Sequence, residues 1–320
     1  MIKKLNIVNG DTGIDIIKKA EIAGDFLPWR DFLHEGPVPA GLSLEVLSKI
    51  RAKFISDYGL GDFKTIKKEF RERNQKLNTY KLYQKVTLWF EHDLYDQLQL
   101  LQILEWFSKQ DLEKTNLTLI CTNNYLGESS PQQIKKLLQY ETPILDEHLQ
   151  LAQKAWSAFC SETPKKWAEL LDEPTALLPF LDSAVYRMLQ EYPSTTHGLS
   201  RTAHQALLII SNGINERVDI FTKYQSFEER KFMGDVIFWK ILEEFKIHNV
   251  IEEKEERFNI TPLGKKLLDG EKNWLSIATI QRSIGGVNLS QENLWCWDIK
   301  NKNIKKYYYS KSLESLLRVK

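Results

Sequence analysis

The chain is poor in the features that would commit it to a special compartment or chemistry. Cysteine occurs only three times in 320 residues, at Cys121, Cys160 and Cys296. These are far apart with no CxxC spacing, so they form neither a zinc ribbon nor a disulfide framework. The reading is three packed thiols in a reducing compartment. Long apolar runs are also missing, and none approaches the roughly 18 to 20 residues that span a bilayer. The run Leu5–Val8 near the start is too short for a signal-peptide core, so a cytoplasmic location and no membrane partner are expected. Neither charge is in excess: Lys plus Arg is 44 against Asp plus Glu 43, for a formal net charge of +1. That balance gives no bulk attraction to nucleic acid or anionic lipid. Familiar site strings are lacking too. There is no GxGxxG, Walker, HExxH, GxSxG or Cys-His signature.

What is present is a globular composition, 42% hydrophobic and 11% aromatic, in a chain long enough for two domains at roughly 100 to 200 residues each. The stretch from Val86 to Gln97 organises the first of them. Val86 to Phe90 has the β-branched, aliphatic and aromatic make-up of a covered strand. Glu91, His92 and Asp93 arrive where that run stops. From Leu94 the apolar period becomes helical, through Leu98, Leu101, Leu104 and Phe107 or its neighbour Trp106. Three ionisable groups therefore fall at a strand-to-helix turn.

The same grammar recurs. Leu5–Val8, the glycine turn Asn9–Gly13, and then Ile14, Ile17 and Ala20 read as strand, turn and short helix. A helix start behind glycine offers free N–H groups to an anion, while Asp11 could cap the helix, fill that site, bind a ribose hydroxyl or hold a metal. Asp25–Trp29 reads as a second strand, left by a loop through Pro37 that carries the adjacent His34 and Glu35. Helices are expected over Leu44–Tyr58 and Phe63–Tyr80, the second charged on most sides and hence solvated. Leu117–Thr122 is another strand with exit loop Asn123–Glu128, and Ser130-Pro131 opens a further helix. Strands alternating with helices predict a parallel sheet, and four polar loops following parallel strands lie on one sheet edge, where ligands bind in such folds.

From about Pro143 strands give way to helices with Pro-containing turns. After Pro193–Leu199, helices over Ser200–Ile210, Val218–Tyr224 and Phe227–Phe245, a hairpin of Val250–Glu253 with Arg257–Ile260, and a closing helix Thr261–Leu268 follow the order of a winged helix-turn-helix. Its third helix and its wing, residues 252–257, are rich in glutamate, which would repel phosphates, so nucleic acid is disfavoured as a partner and a protein-interaction or packing role is favoured. The fold class expected is thus α/β: a Rossmann-like parallel sheet domain over residues 1–143, a helical connector over 144–196, a winged-helix-like α+β domain over 197–299, and a basic, aromatic, solvated tail over 300–320.

Five strings carry a resemblance: residues 7–12 (IVNGDT), 29–37 (WRDFLHEGP), 88–99 (LWFEHDLYDQLQ), 178–181 (LPFL) and 198–202 (GLSRT). Together they resemble a bacterial family named domain of unknown function 1835. The second and third are long enough to be specific. The motif-bearing part covers roughly the first 140 residues, and similar full-length members continue through Trp295–Asp298. Where members have Ser after the NGD turn, this chain has Thr12, another hydroxyl. The resemblance implies a shared domain and candidate positions, not a reaction.

The residues leave two classes of function open. In one, His34, Glu35, Glu91, His92 and Asp93 are the catalytic groups of an enzyme. Asn9, Gly10, Asp11, Thr12 and Gln97 then hold a nucleotide or another phosphate-bearing small ligand, with a divalent metal as the cofactor to look for. His92 could alternatively be a general base oriented by Glu91 or Glu35. In the other, the sheet domain is a non-catalytic ligand sensor or the chain an interaction protein, and the winged-helix-like C-terminal module binds a protein or nucleic-acid partner. Blander roles stand beside both: Asp93 as cap of the helix at Leu94, with Asp96 favourable to its dipole, and Arg30 paired with Asp31 or the loop backbone. His148, His197, His204 and His248 read as structural or exposed.

Overall fold

A computed structural model describes residues 2–310 and, for the backbone alone, 315–318. The first half follows the expected alternation: β1 (Lys4–Val8), α1 (Asp11–Lys19), β2 (Asp25–Pro28), β3 (Gly36–Pro37), α2 (Leu44–Asp57), α3 (Phe63–Asn78), β4 (Lys85–Glu91), α4 (Leu94–Phe107), β5 (Asn116–Thr122), α5 (Pro131–Leu137) and β6 (Thr142–Pro143). Four of these strands pair in parallel in the order β2-β1-β4-β5, and β6 closes the far edge antiparallel to β5. The reading of an all-parallel sheet is therefore right except for that two-residue edge. The helices start where their caps dictate. Ser43 accepts from the Val46 N–H, Asp62 from Thr65, Asp93 from Asp96, and Ser130 forms a capping box with Gln133. Helix α4 buries Leu94, Leu98, Leu100, Leu101, Ile103, Leu104 and Phe107, an apolar surface too broad for one solvated face, which makes it the central helix of the domain.

The rest comprises α6 (Asp146–Phe159), α7 (Lys165–Glu169), α8 (Leu181–Leu189), α9 (Arg201–Ser211), α10 (Arg217–Gln225), α11 (Asp235–Ile247), β7 (Ile251–Lys254), β8 (Arg257–Ile260), α12 (Pro262–Leu268), α13 (Trp274–Ile277), β9 (Arg282–Gly285), β10 (Val287–Leu289), β11 (Leu294–Asp298), β12 (Asn303–Ser310) and β13 (Ser315–Arg318). By contacts the chain divides into two compact units: Met1–Ala184 with Ser283–Val287, and Val185–Arg282 with Asn288–Lys320. In the first unit a returning segment pairs with the chain's early part, Gly36 beside Ile284 and Pro37 beside Gly285. No described helix is long and apolar enough to cross a membrane.

In the second unit α9, α10, α11, the β7–β8 hairpin and α12 keep the expected order. Two expectations there are corrected. Residues 227–234 are not helical: the Glu228 carboxylate is drawn inward to the buried Arg187 guanidinium at 2.6 and 2.8 Å, and α11 begins only after Gly234, whose extended backbone (φ −74°, ψ 155°) is that of an N-cap. The described start of the supposed solvated tail is a strand, β12, paired antiparallel with β11 and β13. Tyr309 packs there with Leu275, Leu294 and Cys296, and Tyr307 lies against them, so these two tyrosines face a core while Tyr308 is exposed. The remainder of the tail, 311–314 and 319–320, lies outside the described residues.

Candidate functional site

The chain leaves β1 for β2 on one side and later returns to β4 on the other, so the sheet order reverses between β1 and β4. In open α/β sheets the crevice beyond the carboxyl ends of the strands at such a reversal is where ligands bind. The groups placed there come from Asn9–Thr12 after β1 and Glu91–Asp93 at the end of β4.

Glu91 is the last residue of β4, held in register opposite Thr122 of β5. Its Oε1 accepts from the Leu126 N–H at 2.8 Å, tying β4 to the loop after β5. Asp93 is the N-cap of α4 and accepts from the Asp96 N–H at 3.2 Å. Asp96 in turn accepts from the Glu91 N–H at 2.5 Å and from Asn9 Nδ2 at 2.9 Å. One oxygen from each of the three carboxyl groups lies within 4.8 Å of the others, and all three residues are buried. Among the described residues this is the group able to hold a metal ion, and neither His34 nor His92 belongs to it.

Burial disfavours carboxylates, and three together repel one another. Burial, then the Glu91 charge, pushes Asp93 up to about 7. Burial, then Asp93 and Glu91, hold Asp96 well above the usual carboxylate range. Burial raises Glu91 as well, against the hydrogen bonds from Leu126 and Asn9. A hard divalent cation with oxygen ligands would relieve that repulsion.

The other expected site residues fall in graded places around this cluster. Asp11, read as a loop carboxylate, is the first residue of α1, whose N-cap is Gly10. It forms a two-pronged pair with Arg30, at 2.6 and 2.7 Å, which joins the loops after β1 and β2. The hydrogen bond to Arg30 first, and its charge, hold the Asp11 carboxyl below its ordinary range. Space is open around Gly10 where a side chain would project, and Thr12 is exposed. His92 is buried with its ring 5.0 Å from that of Tyr125 and 5.8 Å from that of Phe180. His34, only 1% exposed, lies 6.1 Å from the ring of Tyr95, the neighbour of Asp96. Gln97 donates to the Glu91 carbonyl at 2.6 Å, bracing the end of β4 from α4.

The Trp29–Pro37 loop owes its shape to a residue outside it. Arg51 of α2 pairs with Asp31 at 2.8 Å and donates to the carbonyls of Phe32 at 3.1 Å and Glu35 at 2.8 Å. Both charged side chains are buried. Asp31 thus pairs with Arg51, and Arg30 with Asp11, instead of with each other.

Sequence reasoning passed over Asp96 as a ligand, Arg51 as the anchor of the second loop, and Tyr125 and Phe180 as the rings against His92. Asp96 had a local signal: a carboxylate three residues past a capping aspartate returns to the same helix end. The others are tertiary neighbours with no sequence signal. No protein-family model matches the chain, and no curated protein matches it.

Proposed function

We propose that the first unit binds a phosphate-bearing small ligand, nucleotides being the first class to test, through a divalent cation held by Glu91, Asp93 and Asp96. One observation carries this reading: three buried carboxyl groups meet within 4.8 Å at the point where the strand order reverses. Oxygen donors of this kind suit Mg²⁺, Mn²⁺ or Ca²⁺ over softer metals. The cation would neutralise both the carboxylates and the incoming phosphate. Asn9 and Gly10 at the uncapped start of α1 would face the ligand, and His92 is the group on hand for proton transfer. The resemblance of residues 29–37 and 88–99 to domain of unknown function 1835 is read in the same way, as marking a shared ligand-binding domain.

The test is a thermal-shift panel of nucleotides, dinucleotides and phosphosugars with and without Mg²⁺ or Mn²⁺, on wild type and on Asp96→Asn. A ligand at about a hundred times its dissociation constant adds roughly 2.7 kcal/mol. A cation-dependent shift that the variant loses supports the reading. A panel without any shift overturns it.

A further inference from the structure

In the second unit the turn Pro193–Leu199 fastens several elements at once. Thr195 N–H donates to the Trp297 carbonyl of β11 at 3.0 Å, and Trp297 N–H donates back to Pro193 at 2.8 Å. Trp274 N–H, at the start of α13, donates to the His197 carbonyl at 2.8 Å. Gly198, at φ 73°, packs so closely on Asn273 that a Cβ would lie 2.3 Å from its side-chain oxygen. The turn's own shape depends on the His197 imidazole. Its Nδ1 accepts the Leu199 N–H at 3.1 Å and faces Ser194 Oγ at 3.1 Å. The His197 ring stacks on that of His204 from α9, centroids 4.3 Å apart and 13° from parallel.

We propose that this turn is a pH-sensitive clasp, which opens when His197 and His204 take up protons and so frees β11 and α13 from the turn. A protonated Nδ1 is a donor and can no longer accept from Leu199. Two imidazolium rings at stacking distance would repel. Burial first, and then the His204 charge, push His197 down to about 3, while burial lowers His204. Burial therefore favours the neutral form of both rings while the clasp is closed, and opening favours proton uptake.

The charged groups on the elements around the pair have partners of their own. On α9, Arg201 is engaged by Glu229 and Gln190. At the end of α8, Glu191 is held by Arg187 and Arg282. Around Trp274 the ring neighbours are Phe245 of α11 and the titratable His248 at its C-cap. On β11, Asp298 is occupied by the turn amides of Lys300 and Asn301.

The test is amide hydrogen exchange on the full chain between about pH 7 and pH 4, expressed as protection corrected for intrinsic exchange, on wild type, His197→Asn and His204→Gln. Each histidine that gains a proton on opening raises the opening equilibrium by up to about tenfold per pH unit below its exposed value. Wild-type protection at Thr195, Leu199, Trp274 and Trp297 should fall steeply with acid, by more than tenfold per unit, while strands β4 and β5 serve as the internal reference. His197→Asn keeps an acceptor but cannot titrate, so its slope should drop to the one proton left to His204. His204→Gln should reduce the slope to that of one proton. A wild-type slope no steeper than the reference overturns the proposal, and so does an unchanged slope in His204→Gln even if His197→Asn fails to fold.

Discussion

Asn9 Nδ2 donates to Asp96 Oδ1 at 2.9 Å, joining the loop after β1 to the first turn of α4 across 87 positions of sequence. This bond crosses the strand reversal and helps hold a carboxyl group that burial would otherwise leave costly. Replacing Asn9 by Ala leaves a buried acceptor oxygen of Asp96 without this donor, which costs about 1–3 kcal/mol. Chemical denaturation should read that loss, and Asn9→Asp should be worse because it adds a fourth carboxylate.

The carboxyl cluster sets the pH dependence of the first unit. Burial and the Glu91 charge push Asp93 up to about 7 from 3.8 for a free side chain, so the folded state favours the extra proton between those values. Its contribution to stability is complete below about pH 4 and is lost as pH rises through about 7. Unfolding followed in the first unit should therefore show stability falling across that window without divalent cations. Asp93→Asn should flatten the fall. Added Mg²⁺ should restore stability most at the alkaline end, because the ion competes with protons for the same oxygens.

Arg51 and Asp31 form a buried pair, 0% and 1% exposed in their side chains. Removing one partner of such a pair costs about 3–5 kcal/mol, since the other charge is stranded. Arg51→Ala should destabilise the first unit by that amount. Arg51→Lys should recover little of it, because an ammonium cannot serve Asp31 and the Phe32 and Glu35 carbonyls in one plane. A variant within about 0.5 kcal/mol of wild type would show that the Trp29–Pro37 loop is held by other contacts.

Neighbouring tyrosines of β12 should behave oppositely. Tyr309 is 9% exposed within its cluster and Tyr308 is 51% exposed. Tyr309→Ala should cost about 3–5 kcal/mol, as aromatic truncations in cores do, whereas Tyr308→Ala should stay within about 0.5 kcal/mol. Equal effects measured by thermal unfolding would return this segment to the status of a solvated tail.

Much of the first unit was legible because its signals are local. The run Val86–Phe90, the capping positions at Asp93 and Ser130, and the glycine turn after Val8 each announce an element from a few residues, and β1, β2, β4 and β5 lie where those signals placed them. The convergence of loop residues on one sheet edge followed from the parallel topology alone. What escaped depends on partners distant in sequence. Glu228 leaves its helix because Arg187 lies 41 positions earlier. The Lys- and Tyr-rich run of β12 resembles a solvated tail until β11 is paired beside it. The rings of Tyr125 and Phe180 that pack beside His92 also come from distant parts of the chain.

Calorimetric titration of Mg²⁺ or Mn²⁺ into the protein at about pH 7.5, on wild type and Asp96→Asn, bears most directly on the proposed cation site. The expected result is one binding event per chain, with proton release that reflects the raised carboxyl groups, and its loss in the variant. No binding to wild type, or equal binding by both proteins, would contradict it and leave Glu91, Asp93 and Asp96 as the structural brace of the β4–α4 turn.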